Sequence, residues 1–125
     1  MAKIFIVDDE TTFQDVVKPF LEIKGHKVLT AVSGEEALPV IYAEKPDLVL
    51  LDMHLKGKLN GIGILKYIKE KIPSAAVIML TGMEDNVRQE ALSLGADKFL
   101  TKPVTVKALN EAVNEVLNKA APPKT

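Results

Sequence analysis

Four places in this 125-residue chain carry side chains suited to handling a charged group: Asp8-Asp9-Glu10, Asp52, Thr81-Gly82 and Thr101-Lys102-Pro103. Each closes a short apolar run. In a sheet whose first and third strands are neighbours, Asp8, Asp9 and Asp52 converge. Two carboxylates about 4 Å apart repel by roughly 4 kcal/mol at an effective dielectric of 20, so three at one rim need a cation. Oxygen-only donors that leave room for water suit Mg²⁺. The expected direct ligands are Asp9 and Asp52, joined by the backbone carbonyl of His54, with Asp8 holding a metal-bound water. The imidazole of His54 is not required.

A carboxylate accepts a phosphoryl group when a metal ion and an ammonium neutralise the incoming charge, because this transfer is catalysed mainly by positioning and electrostatics. Asp52 is the expected acceptor and Lys102 the ammonium. Thr81 offers a hydroxyl to a phosphoryl oxygen, and Gly82 beside it leaves the approach open.

The elements that must position these groups are legible in the hydrophobic pattern. Short β-type runs recur at Ile4–Val7, Val28–Ala31, Leu48–Leu51, Ala76–Leu80 and Lys98–Leu100, with helical spacing between them. Phe13, Val16, Val17, Phe20 and Leu21 form one face of a first helix, and Val106, Leu109, Val113, Val116 and Leu117 one face of the last. Ser33 and Glu36 make a capping box at the start of the second helix, and Gly25 and Gly95 sit where the first and fourth should stop. Runs such as Leu48-Val49-Leu50-Leu51 are apolar on both faces, as a parallel strand covered by helices on either side requires. Five strand–helix repeats with right-handed crossovers give an α/β, doubly wound, five-stranded parallel sheet whose chemistry lies at the carboxyl ends of its strands.

Bulk composition narrows the function. Apolar residues make up 47% and charged residues 26%, which places the chain among globular proteins of one core. A formal net charge of −1 supplies no field to draw it to nucleic acid or anionic lipid, so neither is an expected direct partner. With no cysteine, disulfides, thiolate nucleophiles and thiolate metal sites are excluded together. The N-terminus lacks the pattern of a signal peptide, and the apolar runs are too short to span a membrane; a cytoplasmic protein is expected. The expected domain is 1–119, with 120–125 as a tail or linker. His26, after Gly25, is expected to be an exposed turn residue without a role. Pro19 and Pro39 fall within helical patterns and are expected to kink them.

Asp8-Asp9 after strand one, Asp52 after strand three, Thr81 after strand four, and Phe99 with Lys102-Pro103 around the end of strand five resemble the receiver domain of two-component response regulators. The resemblance spans nearly the whole chain. It implies a flavodoxin-like strand order 2-1-3-4-5 and a Mg²⁺-dependent phosphoacceptor. Asp52 would take its phosphoryl group from a histidine kinase or a histidine phosphotransfer protein. It further implies that Thr81 and Phe99 form a switch that reshapes the surface of the last two helices and the strand between them. A downstream effector would read that surface, with the chain a monomer or a phosphorylation-linked dimer. It implies, finally, a cis bond between Lys102 and Pro103, and catalysis limited to the domain's own phosphorylation and dephosphorylation.

The segment Met53-His54-Leu55-Lys56-Gly57-Lys58-Leu59-Asn60-Gly61 departs from the family pattern, with lysine in place of a proline and one residue more. His54 and Met83 occupy positions that, in similar proteins, influence the lifetime of the phosphoryl group. Similar receivers meet their kinase at the first helix, so a bend at Pro19 is expected to shape partner choice. Other functional classes fit these residues less well. A Mg²⁺-dependent aspartyl-phosphate hydrolase of the haloacid dehalogenase type needs an aspartate two residues after the nucleophile, where this chain has His54. A degenerate receiver acting only as a binding module usually lacks an acid or the lysine. A nucleotide binder on this fold needs a glycine-rich loop after the first strand, where this chain has Asp8-Asp9-Glu10.

Overall fold

A computed structural model describes residues 2–53, 55, 59–82 and 92–120, with side chains as far as residue 118. Its strands are β1 (Lys3–Val7), β2 (Lys27–Ala31), β3 (Leu48–Asp52), β4 (Ala76–Thr81) and β5 (Lys98–Thr101). Its described helices are α1 (Thr11–Ile23), α2 (Gly34–Glu44), α3 (Gly61–Lys71) and α4 (Val106–Ala120). The strands form one parallel sheet in the order β2-β1-β3-β4-β5.

The two-faced apolar runs explain the layering. Successive side chains of a strand point to opposite faces. Ile4, Ile6, Leu48, Leu50, Ile78 and Leu80 therefore pack with α1 and α4, against Val17, Leu21, Leu109 and Val113. Their neighbours Phe5, Val7, Val49, Leu51, Val77 and Met79 pack with α2 and α3, against Ile41, Ile64, Leu65 and Ile68. Each such fully buried side chain contributes roughly 1.5–3 kcal/mol, so both faces of the sheet are committed to helices.

The ends of the elements follow local chemistry. The Ser33 hydroxyl accepts from the Glu36 N–H at 3.1 Å, as a capping residue should. Gly25 and Gly95 adopt φ of 97° and 104°, the left-handed region that glycine enters without a Cβ clash. Between β4 and β5 the described helical residues are Leu92 and Ser93; the rest of the expected fourth helix, residues 83–91 with Met83, lies outside the described residues. So do His54 and Lys56-Gly57-Lys58. Helices α1 and α2 run continuously through Pro19 and Pro39. Both prolines stand on exposed positions, where water can replace the missing N–H donor.

One expectation is corrected. His26 is half-buried, and its Nδ1 accepts from the Ala2 N–H at 3.2 Å, which ties the turn before β2 to the start of β1. Among the described residues no helix is long and apolar enough to cross a membrane.

Candidate functional site

The register of the sheet brings the acids together. Val7 pairs with Leu51, so Asp8 and Asp52 follow side by side at the carboxyl edge of neighbouring strands. Asp52 still belongs to β3, paired with Leu80, and Thr81 to β4, paired with Thr101. Both are held by the ladder and not by a loop. Behind Asp52 packs Gly61, where a Cβ would clash with the Asp52 carbonyl oxygen. Only glycine lets the start of α3 approach the strand end this closely.

Asp8 is fully buried and its contacts are specific. Its Oδ1 accepts from the Glu10 N–H at 2.8 Å, and its Oδ2 accepts from the Lys102 ammonium at 2.7 Å. Lys102 also donates to Glu10 Oε1 at 2.9 Å and stands 3.8 Å from Asp52 Oδ2. The Lys102 Nζ lies 4.9 Å from the centroid of the Phe13 ring. The peptide bond between Lys102 and Pro103 is cis. Burial raises the pKa of Asp8 above the ordinary carboxylate value, by more than hydrogen bonds from Lys102 and the Glu10 N–H lower it. For Lys102, burial alone would lower the pKa; the hydrogen bonds to Asp8 and Glu10 outweigh it and hold the ammonium above its usual value.

Thr81 is buried, and its Oγ1 has no hydrogen-bond partner among the described residues. A hydroxyl so placed can donate a hydrogen bond to a water or another group that reaches it. Among the described residues, nothing lies within 4 Å of where a Cβ on Gly82 would stand. Phe99 is buried among the side chains on the α2 and α3 side of the sheet.

Oxygens of Asp8, Glu10 and Asp52 all lie within 4.8 Å of one another. This all-carboxylate set fits a hard divalent cation such as Mg²⁺. Asp9 is half-buried and stands outside that group, while Glu10 stands within it.

Three contributors carry little signal in the sequence. Glu10 reads as the third acid of a run, and Phe13 as one residue of a helix face. Gln14 was not singled out, yet its Nε2 donates to the carbonyls of Asp8 at 2.8 Å and Ala31 at 2.7 Å, clamping the ends of β1 and β2. A signal existed: Gln14 shares the buried face of α1 with Val17 and Leu21, and a polar side chain there must find partners.

A doubly wound parallel sheet binds its ligands at the carboxyl ends of its strands, and in this α/β domain that edge carries carboxylates, an ammonium and a hydroxyl. The sequence matches the model of the response regulator receiver domain family over residues 4–114, and the chain belongs to that family. It is 37% identical over 119 residues to the alkaline phosphatase synthesis transcriptional regulatory protein PhoP of Bacillus subtilis, covering 94% of this chain and 49% of that protein. It is 40% identical over 123 residues to a probable transcriptional regulator, ycf27, of Guillardia theta, covering 95% and 48%. The chain thus spans about half the length of these curated relatives. Among solved structures, a CheY-like receiver domain protein from Methanospirillum hungatei superposes with a TM-score of 0.90 at 32% identity, covering 96% of each chain. A receiver domain protein from Clostridium thermocellum does so with 0.86 at 41% identity, covering 95% of this chain and 96% of that one.

Proposed function

We propose that this receiver domain is switched by transfer of a phosphoryl group to Asp52. The observation that carries the reading is the meeting, at one edge of the sheet, of a buried carboxylate with an ammonium 3.8 Å away and a buried hydroxyl that has no hydrogen-bond partner among the described residues. In the transfer, an Asp52 oxygen attacks phosphorus, the phosphorus–nitrogen bond of a phosphohistidine breaks, and the freed imidazole nitrogen is protonated. Lys102 balances the charge of the transferred oxygens, and the Thr81 hydroxyl donates to one of them. Asp8, Asp9, Glu10 and Asp52, with the His54 carbonyl, are the groups available to hold Mg²⁺. That ion, when bound, supplies charge neutralisation at the phosphoryl oxygens.

The domain, residues 1–119 with 120–125 as a tail, is read as a cytoplasmic signalling unit that turns over nothing beyond its own acyl phosphate. Its donor is a histidine kinase or a histidine phosphotransfer protein. Its output is a population shift in which Thr81 and Phe99 reshape the surface around β5 for a downstream effector. Mass spectrometry after treatment with acetyl phosphate and Mg²⁺ tests the reading: the wild type gains one phosphoryl group and Asp52→Ala does not. Equal gain in both overturns it.

A further inference from the structure

We propose that Phe13 is a positioning residue for Lys102, holding its ammonium at the α1 side of the acidic pocket; the inference rests on the phosphoacceptor reading of Asp52. Lysine carries a point charge on a flexible four-carbon stem, so its resting place is set by what surrounds it. Asp8 and Glu10 accept from the ammonium at 2.7 and 2.9 Å, and the Phe13 ring lies beneath it at 4.9 Å. That distance is within the range over which an aromatic face attracts a cation.

One helical turn supplies two of these three restraints. Glu10 caps α1, and the Phe13 N–H donates to the Glu10 carbonyl at 3.1 Å, so the backbone positions that carry the carboxylate and the ring are fixed relative to each other. The ring attracts charge without accepting a strong hydrogen bond. It therefore orients the ammonium without competing for it as a third carboxylate would. Phe13 and Lys102 also line the same groove of about 470 Å³, with Val16, Pro103 and Val104, so the ring is half-buried and not locked in the core.

The test uses Phe13→Leu, which keeps apolar bulk and removes the π face, and Phe13→Tyr, which keeps both. With acetyl phosphate and Mg²⁺, Phe13→Leu should gain its phosphoryl group about threefold to thirtyfold more slowly than wild type, and Phe13→Tyr should restore the rate. Without metal or phosphodonor, proton NMR of lysine-labelled protein should show the Lys102 ε-methylene shifted by the ring in wild type and Phe13→Tyr. In Phe13→Leu the ring-induced shift should be lost. In the wild type alone, a nuclear Overhauser contact should join that methylene to the Phe13 ring protons, a readout that needs no variant to fold. A Phe13 that only fills space would lower the melting temperature of Phe13→Leu and leave its phosphorylation rate unchanged. That result, absence of the Overhauser contact, or equal phosphorylation rates overturns the proposal. A wild type that takes up no phosphoryl group sinks the Asp52 reading instead, and the lysine resonance tells the two failures apart.

Discussion

Lys102 and Asp8 come from strands that are not neighbours in the sheet, yet ammonium and carboxylate meet at 2.7 Å, closer than Lys102 comes to Asp52 at 3.8 Å. The lysine thus already serves as the internal cation of a pocket whose carboxylates repel one another.

If the ammonium and a metal ion offset the same charge, removing one should strengthen the other. Lys102→Met is expected to bind Mg²⁺ about tenfold more tightly than wild type, a fraction of the roughly 4 kcal/mol between unit charges 4 Å apart at a dielectric of 20. Isothermal titration checks this. Unchanged or weaker Mg²⁺ binding would show that the ammonium does not oppose the metal.

The unpartnered Thr81 hydroxyl makes a separate prediction. Thr81→Val removes a buried unsatisfied group at nearly constant shape, so the unphosphorylated domain should be as stable as wild type or up to about 1 kcal/mol more stable. The same change should reduce the extra stability conferred by beryllofluoride with Mg²⁺, a mimic of the acyl phosphate. Thermal melts with and without the mimic separate the effects, and equal stabilisation of both proteins would count against a role for the hydroxyl.

Two glycines at the site should behave oppositely. In Gly61→Ala the new Cβ would clash with the Asp52 carbonyl oxygen and sit 2.8 Å from Met53 Cα, both backbone atoms that cannot swing aside. A loss of about 1–3 kcal/mol is expected, with slower phosphorylation as the Asp52 backbone is displaced. Gly82→Ala meets nothing within 4 Å and should change stability by less than about 0.5 kcal/mol. Denaturant titration of the two variants is the check.

His26 gives the domain a pH dependence remote from the site. Burial lowers its pKa below the ordinary 6.5, so the folded state binds fewer protons than the unfolded state in the window just below that value. Stability is therefore present above about 6.5 and declines as the pH falls toward the folded pKa. His26→Asn keeps an acceptor for the Ala2 N–H without a titrating ring. As the pH falls from about 7 to about 5, the denaturation midpoint of wild type should drop further than that of the variant; parallel curves would contradict the assignment.

The layered α/β fold and the placement of Asp52, Thr81 and Lys102 at strand ends could be read from the chain, because strand faces and helix faces impose periods of 2 and 3.6 on the apolar residues. The strand ends were less legible. Asp52 and Thr81 are polar and look like the start of loops, yet the ladder continues through both. Nor could local pattern show that His26 is bonded to Ala2, 24 residues away, or that Gln14 spans the ends of two strands.

The residues at the strand ends, and hence the kind of chemistry they can do, were determined by the sequence alone. The tertiary structure decided which of those groups touch. Lys102 meets Glu10 across 92 residues and rests over Phe13, and Glu10 rather than Asp9 shares the acidic cluster with Asp8 and Asp52. Such contacts depend on sheet register and on the direction in which α1 leaves β1. Both are properties of the packed whole, in which long-range burial and not local spacing sets the distance between side chains.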